Sequence, residues 1–100
     1  MKRPRGTNPR RPRAFVVVSR QVAIDSRYET VMCAPVYSTN LGLSSQLPIG
    51  PDEGLKHQSV VHCDGLVSIQ KSRLTDFVGS LDAEKMVMLN EALRVALGLD

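Results

Sequence analysis

A chain of 100 residues, 42% hydrophobic and 23% charged, has the composition of one ordinary globular domain, large enough for a single core and small enough to gain from burial against a second subunit. No apolar run approaches the ~18 residues of a membrane-spanning helix, and the basic N-terminus leads into more arginine and proline instead of the apolar segment of a secretory leader, so the expected location is a reducing cytoplasm. The formal charge of +3 is unevenly placed: Lys2, Arg3, Arg5, Arg10, Arg11 and Arg13 carry six positive charges with no acid among them, leaving residues 14–100 at net −3 once those six are taken from the total.

Residues 1–12 hold three prolines, one glycine and most of that arginine. This composition disfavours helix and sheet ladder alike, so the stretch reads as a mobile basic arm, either a solvated tail or an element for a polyanion such as nucleic acid. Ala14–Ser19, AFVVVS, is continuous and β-branched, which predicts a central strand buried on both faces. A short helical turn is expected at Gln21–Ser26. Thr30–Asn40, TVMCAPVYSTN, begins as a buried strand and ends in hydroxyls and an amide, so core turns into site within one segment. Pro35 cannot donate to a ladder and marks a sheet edge, a bulge or the end of pairing.

Residues 40–54 read as a long flexible loop around a short extended piece, Gln46–Ile49. Ser59–Cys63 is the next strand, with Val60, His62 and Asp64 predicted on one face and Val61 and Cys63 on the other. Leu66–Ile69 continues as extended chain, Lys71–Leu74 as a helical turn and Phe77–Gly79 as a further extended piece. Ser80 or Asp82 then caps the last helix, whose core face is predicted to be Met86, Leu89, Leu93, Ala96 and Leu97, ending at Gly98. Both cysteines, Cys33 and Cys63, fall in apolar runs and read as small buried hydrophobes. His62 and Cys63 would point to opposite faces of a strand, so the pair does not read as a metal site.

Several stretches together resemble a known family: RRPRAFVVVS (Arg10–Ser19), PVYS (Pro35–Ser38), VHCD (Val61–Asp64), the basic turn KSRL (Lys71–Leu74) and LNEALRVALGL (Leu89–Leu99). In this order they are similar to the MazF/PemK/Kid toxins of type II toxin–antitoxin systems, over about residues 6–99. The resemblance implies one domain over residues 1–100, mainly β with short helices: a small, strongly curved, antiparallel SH3-like barrel of the CcdB/Kid/MazF type with a C-terminal α-helix. It further implies a homodimer that cuts single-stranded mRNA as an endoribonuclease without metal or other cofactor, the ribose 2′-hydroxyl acting as nucleophile, and a cognate antitoxin that covers the RNA site.

On the same resemblance Arg13 corresponds to the family's loop arginine, a cation that stabilises the reacting phosphate or protonates the leaving oxygen. Its plain alternative is a solvated charge in the basic arm. Tyr37 stands where relatives carry threonine, with Ser38 or Thr39 taking over its role; otherwise Tyr37 is a packing aromatic and Ser38 a turn cap. Asp64 is a candidate base or an orienter of Arg13, and His62 either a proton-transfer group or a surface histidine. Arg10 and Arg11 are candidate phosphate contacts, Tyr28 and Asn40 candidate base contacts. Arg13, Ser38 and Asp64 are expected to converge at one end of the sheet.

Two departures from the family's pattern are visible. Relatives open with a strand of the type RGEVW, which Met1–Arg5 is too short and too rich in arginine and proline to supply, so the first strand is expected to be missing. Relatives also continue past the acidic residue with Gln-x-Arg, where this chain has Gly65-Leu66-Val67. These departures leave a second reading open, a non-catalytic or degenerate member that binds RNA, antitoxin or a protein target such as gyrase.

Overall fold

The computed structural model describes residues 14–99 and the backbone of Lys2–Pro4. At its centre β2 (Ala14–Val17) and β3 (Thr30–Tyr37) pair antiparallel, Ala14 opposite Val36 and Val17 opposite Cys33. Their β-branched and small apolar side chains suit a pleated surface covered on both sides, and Ala14, Phe15 and Val16 are all buried. Between them runs α1 (Gln21–Asp25), too short to hold itself. Lys71 supports its C-terminal end, donating from Nζ to the carbonyls of Ala23 (3.0 Å) and Ser26 (2.8 Å).

Strand β3, with eight residues, outruns its neighbours and so takes two partners on one edge. Residues Thr30–Cys33 pair with β6 (Val67–Gln70), while Val36 and Tyr37 pair with β5 (Ser59–His62). Pro35 occupies the changeover. Val18 N–H donates to Met32 O at 2.9 Å, so Met32, Ala34 and Val36 are the positions bonded to β2 and the Pro35 nitrogen faces the other edge. Its missing N–H thus falls where no strand needs one.

Outside β5 lies β4 (Gln46–Ile49), and at the far side β1 (Lys2–Pro4) joins β2 to β7 (Leu74–Phe77). The path β4-β5-β3-β2-β1-β7, with β6 branching onto β3, is antiparallel throughout. This is the expected mainly-β architecture, although the sheet is not closed into a barrel. One face carries Val16, Ala34, Val36, Leu47, Val61 and Cys63 beneath α2 (Ala83–Leu97), which contributes Leu89 and Ala92. On the other face a smaller cluster forms around Phe15, Val31 and Cys33.

The helix is built as its sequence dictates at both ends: Asp82 accepts from Lys85 N–H at 2.8 Å, and Gly98, at φ +67°, closes it. Its predicted core face is corrected in part. Met86 and Leu97 are 44% and 56% exposed, whereas Ala92 is 3% exposed, because the helix rotates its small side toward the sheet and lets the backbone approach.

The N-terminal reading is corrected too. Lys2–Pro4 is a strand, held by two neighbours at once, with a register shift between Arg3 and Pro4 where proline cannot donate. Backbone pairing on both edges outweighs unfavourable composition. The other extended piece is Leu74–Phe77, several residues earlier than Phe77–Gly79, since the preceding helical turn ends at Arg73. Within 40–54 the chain is more regular than a loop: β4 leads into a 3-10 turn, Pro51–Glu53, whose buried Glu53 carboxylate accepts from Gly50 N–H at 2.7 Å.

Candidate active site at the end of strand β3

Where β3 leaves the sheet, Tyr37, Ser38 and Thr39 line an open hollow of about 400 Å3, joined by Leu41, Gln46 and His62. That is the small end of ligand clefts, roughly 300–1,000 Å3, and suits one nucleotide more than a length of strand. Gln46 lies opposite His62 in the β4–β5 ladder. The edge of the His62 ring meets the Tyr37 ring with centroids 5.7 Å apart and planes at 76°. Gly65 makes room for the imidazole, since a Cβ there would lie 3.2 Å from both His62 Cδ2 and Pro35 Cγ.

Polar contacts organise the wall. Gln46, only 8% exposed, accepts from Leu41 N–H through Oε1 at 2.8 Å and approaches His62 Nδ1 through Nε2 at 3.3 Å. Asn40 Oδ1 accepts from Gly42 N–H at 2.8 Å, closing a turn that leads the chain back toward β4. Nothing in the sequence marked Gln46 beyond a short extended piece, because its importance depends on register against a strand 16 residues later.

The structure brings Tyr37, Ser38, Thr39 and His62 together, and Asn40 is bonded within the adjoining turn. Asp64 does not line this hollow. The alternation expected to put it beside His62 stops at His62, where the chain bends into the 3-10 turn Cys63–Gly65. Its Oδ2 instead accepts from Ser45 Oγ at 2.5 Å, while Ser45 O accepts from Cys63 N–H at 3.1 Å, so Asp64 fastens the start of β4 to the end of β5. Tyr28 is 69% exposed just before the opposite end of β3, which at ~3.3 Å per residue is about 23 Å from the Tyr37 end. Arg10, Arg11 and Arg13 lie outside the described residues.

Against this geometry, the family model for the PemK-like, MazF-like toxin of type II toxin–antitoxin systems matches residues 1–97. The chain belongs to that family. Among curated relatives of this toxin is Endoribonuclease MazF3 of Mycobacterium tuberculosis, 32% identical over 88 residues, covering 88% of this chain and 84% of the relative. The structure of the Mycobacterium tuberculosis toxin MazF-mt6 is similar with a TM-score of 0.81 and 31% identity, each chain covered to 86%. A mycobacterial endoribonuclease solved in complex with its cognate antitoxin shares the fold at TM-score 0.77 and 24% identity, over 86% of this chain and 81% of that one.

Within the toxin both cysteines are buried and free. Burial pushes the thiols of Cys33 and Cys63 up to about 11, with Asp64 adding to the shift at Cys63. They belong to opposite faces of the sheet and serve as core.

Proposed function

We propose that this toxin is an endoribonuclease that cuts single-stranded RNA, mRNA foremost, without a metal ion. The hydroxyl- and imidazole-lined hollow at the tip of β3, in a chain of this family, carries the reading. In the reaction the ribose 2′-oxygen bonds to the adjacent phosphorus as the bond to the 5′-oxygen breaks. The products are a 2′,3′-cyclic phosphate and a 5′-hydroxyl end, and the proton lost by the nucleophile is balanced by one delivered to the leaving oxygen.

Ser38 and Thr39 supply exposed hydroxyls to the phosphoryl oxygens, and His62 supplies a ring nitrogen. Tyr37 acts through its ring, which holds His62 edge-on. Arg13 supplies positive charge beside the phosphate; what supports it is covalent connection to Ala14, whose sheet partner is Val36, one residue short of Tyr37. Asp64 is a positioning residue for the β4–β5 junction. Arg10 and Arg11 neutralise flanking phosphates, Asn40 meets a base, and Tyr28 contacts a more distant nucleotide.

The toxin works in the cytoplasm, where its substrate is, as a homodimer and under control of a cognate antitoxin. The family's definition supports the antitoxin. Apolar side chains left in water, Phe77 at 72% and Val87 at 63%, support burial against a second copy. The test is incubation of the purified chain with a long single-stranded RNA in EDTA. Cyclic-phosphate ends are expected, with cleavage slowed ~10- to 100-fold by Arg13→Ala or Ser38→Ala. RNA bound but left intact would sink the reading.

A further inference from the structure

We infer that Gln46 is a positioning residue which fixes the tautomer of the neutral His62 ring with its proton on Nε2, so that this nitrogen donates a hydrogen bond into the hollow. This rests on the endoribonuclease reading for its consequence, and on geometry alone for the state of the ring. The Leu41 amide at 2.8 Å can only donate, so the Gln46 oxygen must face it. The amide NH2 is then turned to His62 Nδ1 at 3.3 Å, and a ring nitrogen facing a donor must accept. With Nδ1 supplying its lone pair to Gln46, the proton of the neutral ring sits on Nε2.

The restraint is built from several sides. Gln46 is buried opposite His62 in the ladder, Tyr37 and His62 meet edge-on, and a Cβ at position 65 would press on the ring at 3.2 Å. Nε2 is the nitrogen left for a ligand of the hollow. A neutral Nε2–H has no lone pair to accept the 2′-hydroxyl proton but is a fixed donor for a phosphoryl oxygen gaining charge, where preorganised donors are most effective. The same glutamine ties the ring to Leu41, so the loop after β3 and the donor move as one unit.

Long-range 1H–15N spectra of the full chain at about pH 8.5, two units above the ordinary imidazole value, read the ring directly. His62 is expected protonated at Nε2 in the wild type, mixed in Gln46→Met, and protonated at Nδ1 in Gln46→Glu, where a carboxylate still accepts from Leu41 but accepts at the ring as well. Exposed His57 serves as the unchanged internal control. At saturating protein the single-turnover cleavage rate of Gln46→Glu in EDTA is expected to fall about tenfold or more with the fold retained. Protonation at Nδ1 in the wild type, or full-rate cleavage by Gln46→Glu with the proton relocated, would overturn the inference. Absence of cleavage by a wild type whose ring is protonated at Nε2 would instead overturn the endoribonuclease reading and leave the ring assignment standing.

Discussion

Raised thiols give this protein a pH signature of its own. Below about pH 9, the ordinary thiol value, Cys33 and Cys63 are protonated in folded and unfolded chains alike, and their contribution is constant. Between 9 and 11 the unfolded chain ionises first and is favoured, so stability falls, by about 3 kcal/mol per thiol once pH passes the folded value of about 11. Urea unfolding between pH 8 and 11 is expected to show this loss, and a less stable Cys33→Ala/Cys63→Ala variant a flatter profile. Tyr37 invites a second test at this scale: Tyr37→Phe keeps the ring against His62 and is expected to cleave near the wild-type rate, while Tyr37→Ala is expected to slow the single-turnover rate. Sequence reading found Tyr37 and His62 separately. It had no means of seeing that they touch, because contact between residues 25 apart is a property of strand register.

For the elements, the contrast between α2 and β1 is instructive. The helix was legible because its caps are local: Asp82 and Gly98 act on backbone groups within a turn of themselves. Its buried face was legible only in part, since Ala92 has little hydrophobic weight yet lies at 3% exposure where helix and sheet approach. Leu89→Ala is accordingly expected to cost about 2 to 5 kcal/mol in chemical unfolding, and Leu97→Ala within ~0.5 kcal/mol. Leu93 is half-buried and its truncation should cost less than that of Leu89. Glycine placement gives a sharper case. A Cβ at Gly79 would run into the Glu53 carbonyl, and one at Gly54 into the Val78 carbonyl, so these two backbones cross in contact. Gly79→Ala is expected to be severely destabilising, whereas Gly42, at φ +73° with nothing near it, should lose only ~1 kcal/mol on the same change.

At the scale of the whole molecule, the basic arm adjoins in sequence the strand that pairs with the site segment. The basic residues of the first 13 positions feed directly into β2, and β2 pairs with the segment that ends in Tyr37. Binding of single-stranded RNA should therefore weaken steeply with salt, and removing two phosphate contacts by Arg10→Gln/Arg11→Gln should reduce the slope of log K against log salt by about 1.4. Filter binding at a series of salt concentrations checks this; an unchanged slope would place both arginines away from the phosphates. On the proposed role of both arginines as flanking phosphate contacts, the cleavage rate at saturating protein should change much less than the affinity.

Composition, periodicity and local chemistry were enough to establish a small domain of strands with a capped C-terminal helix, two buried thiols and a polar tip on one apolar strand, while the antiparallel arrangement came from the family resemblance. These follow from interactions within a few residues, which a linear chain displays openly. Partner choice required the tertiary structure: β3 serving two strands on one edge, the short basic strand Lys2–Pro4 held between two neighbours, Asp64 turned to Ser45, and Gln46 placed against His62. Each of these depends on which backbone edges and side-chain polar groups are brought face to face as the core closes, and that is decided only when distant segments meet.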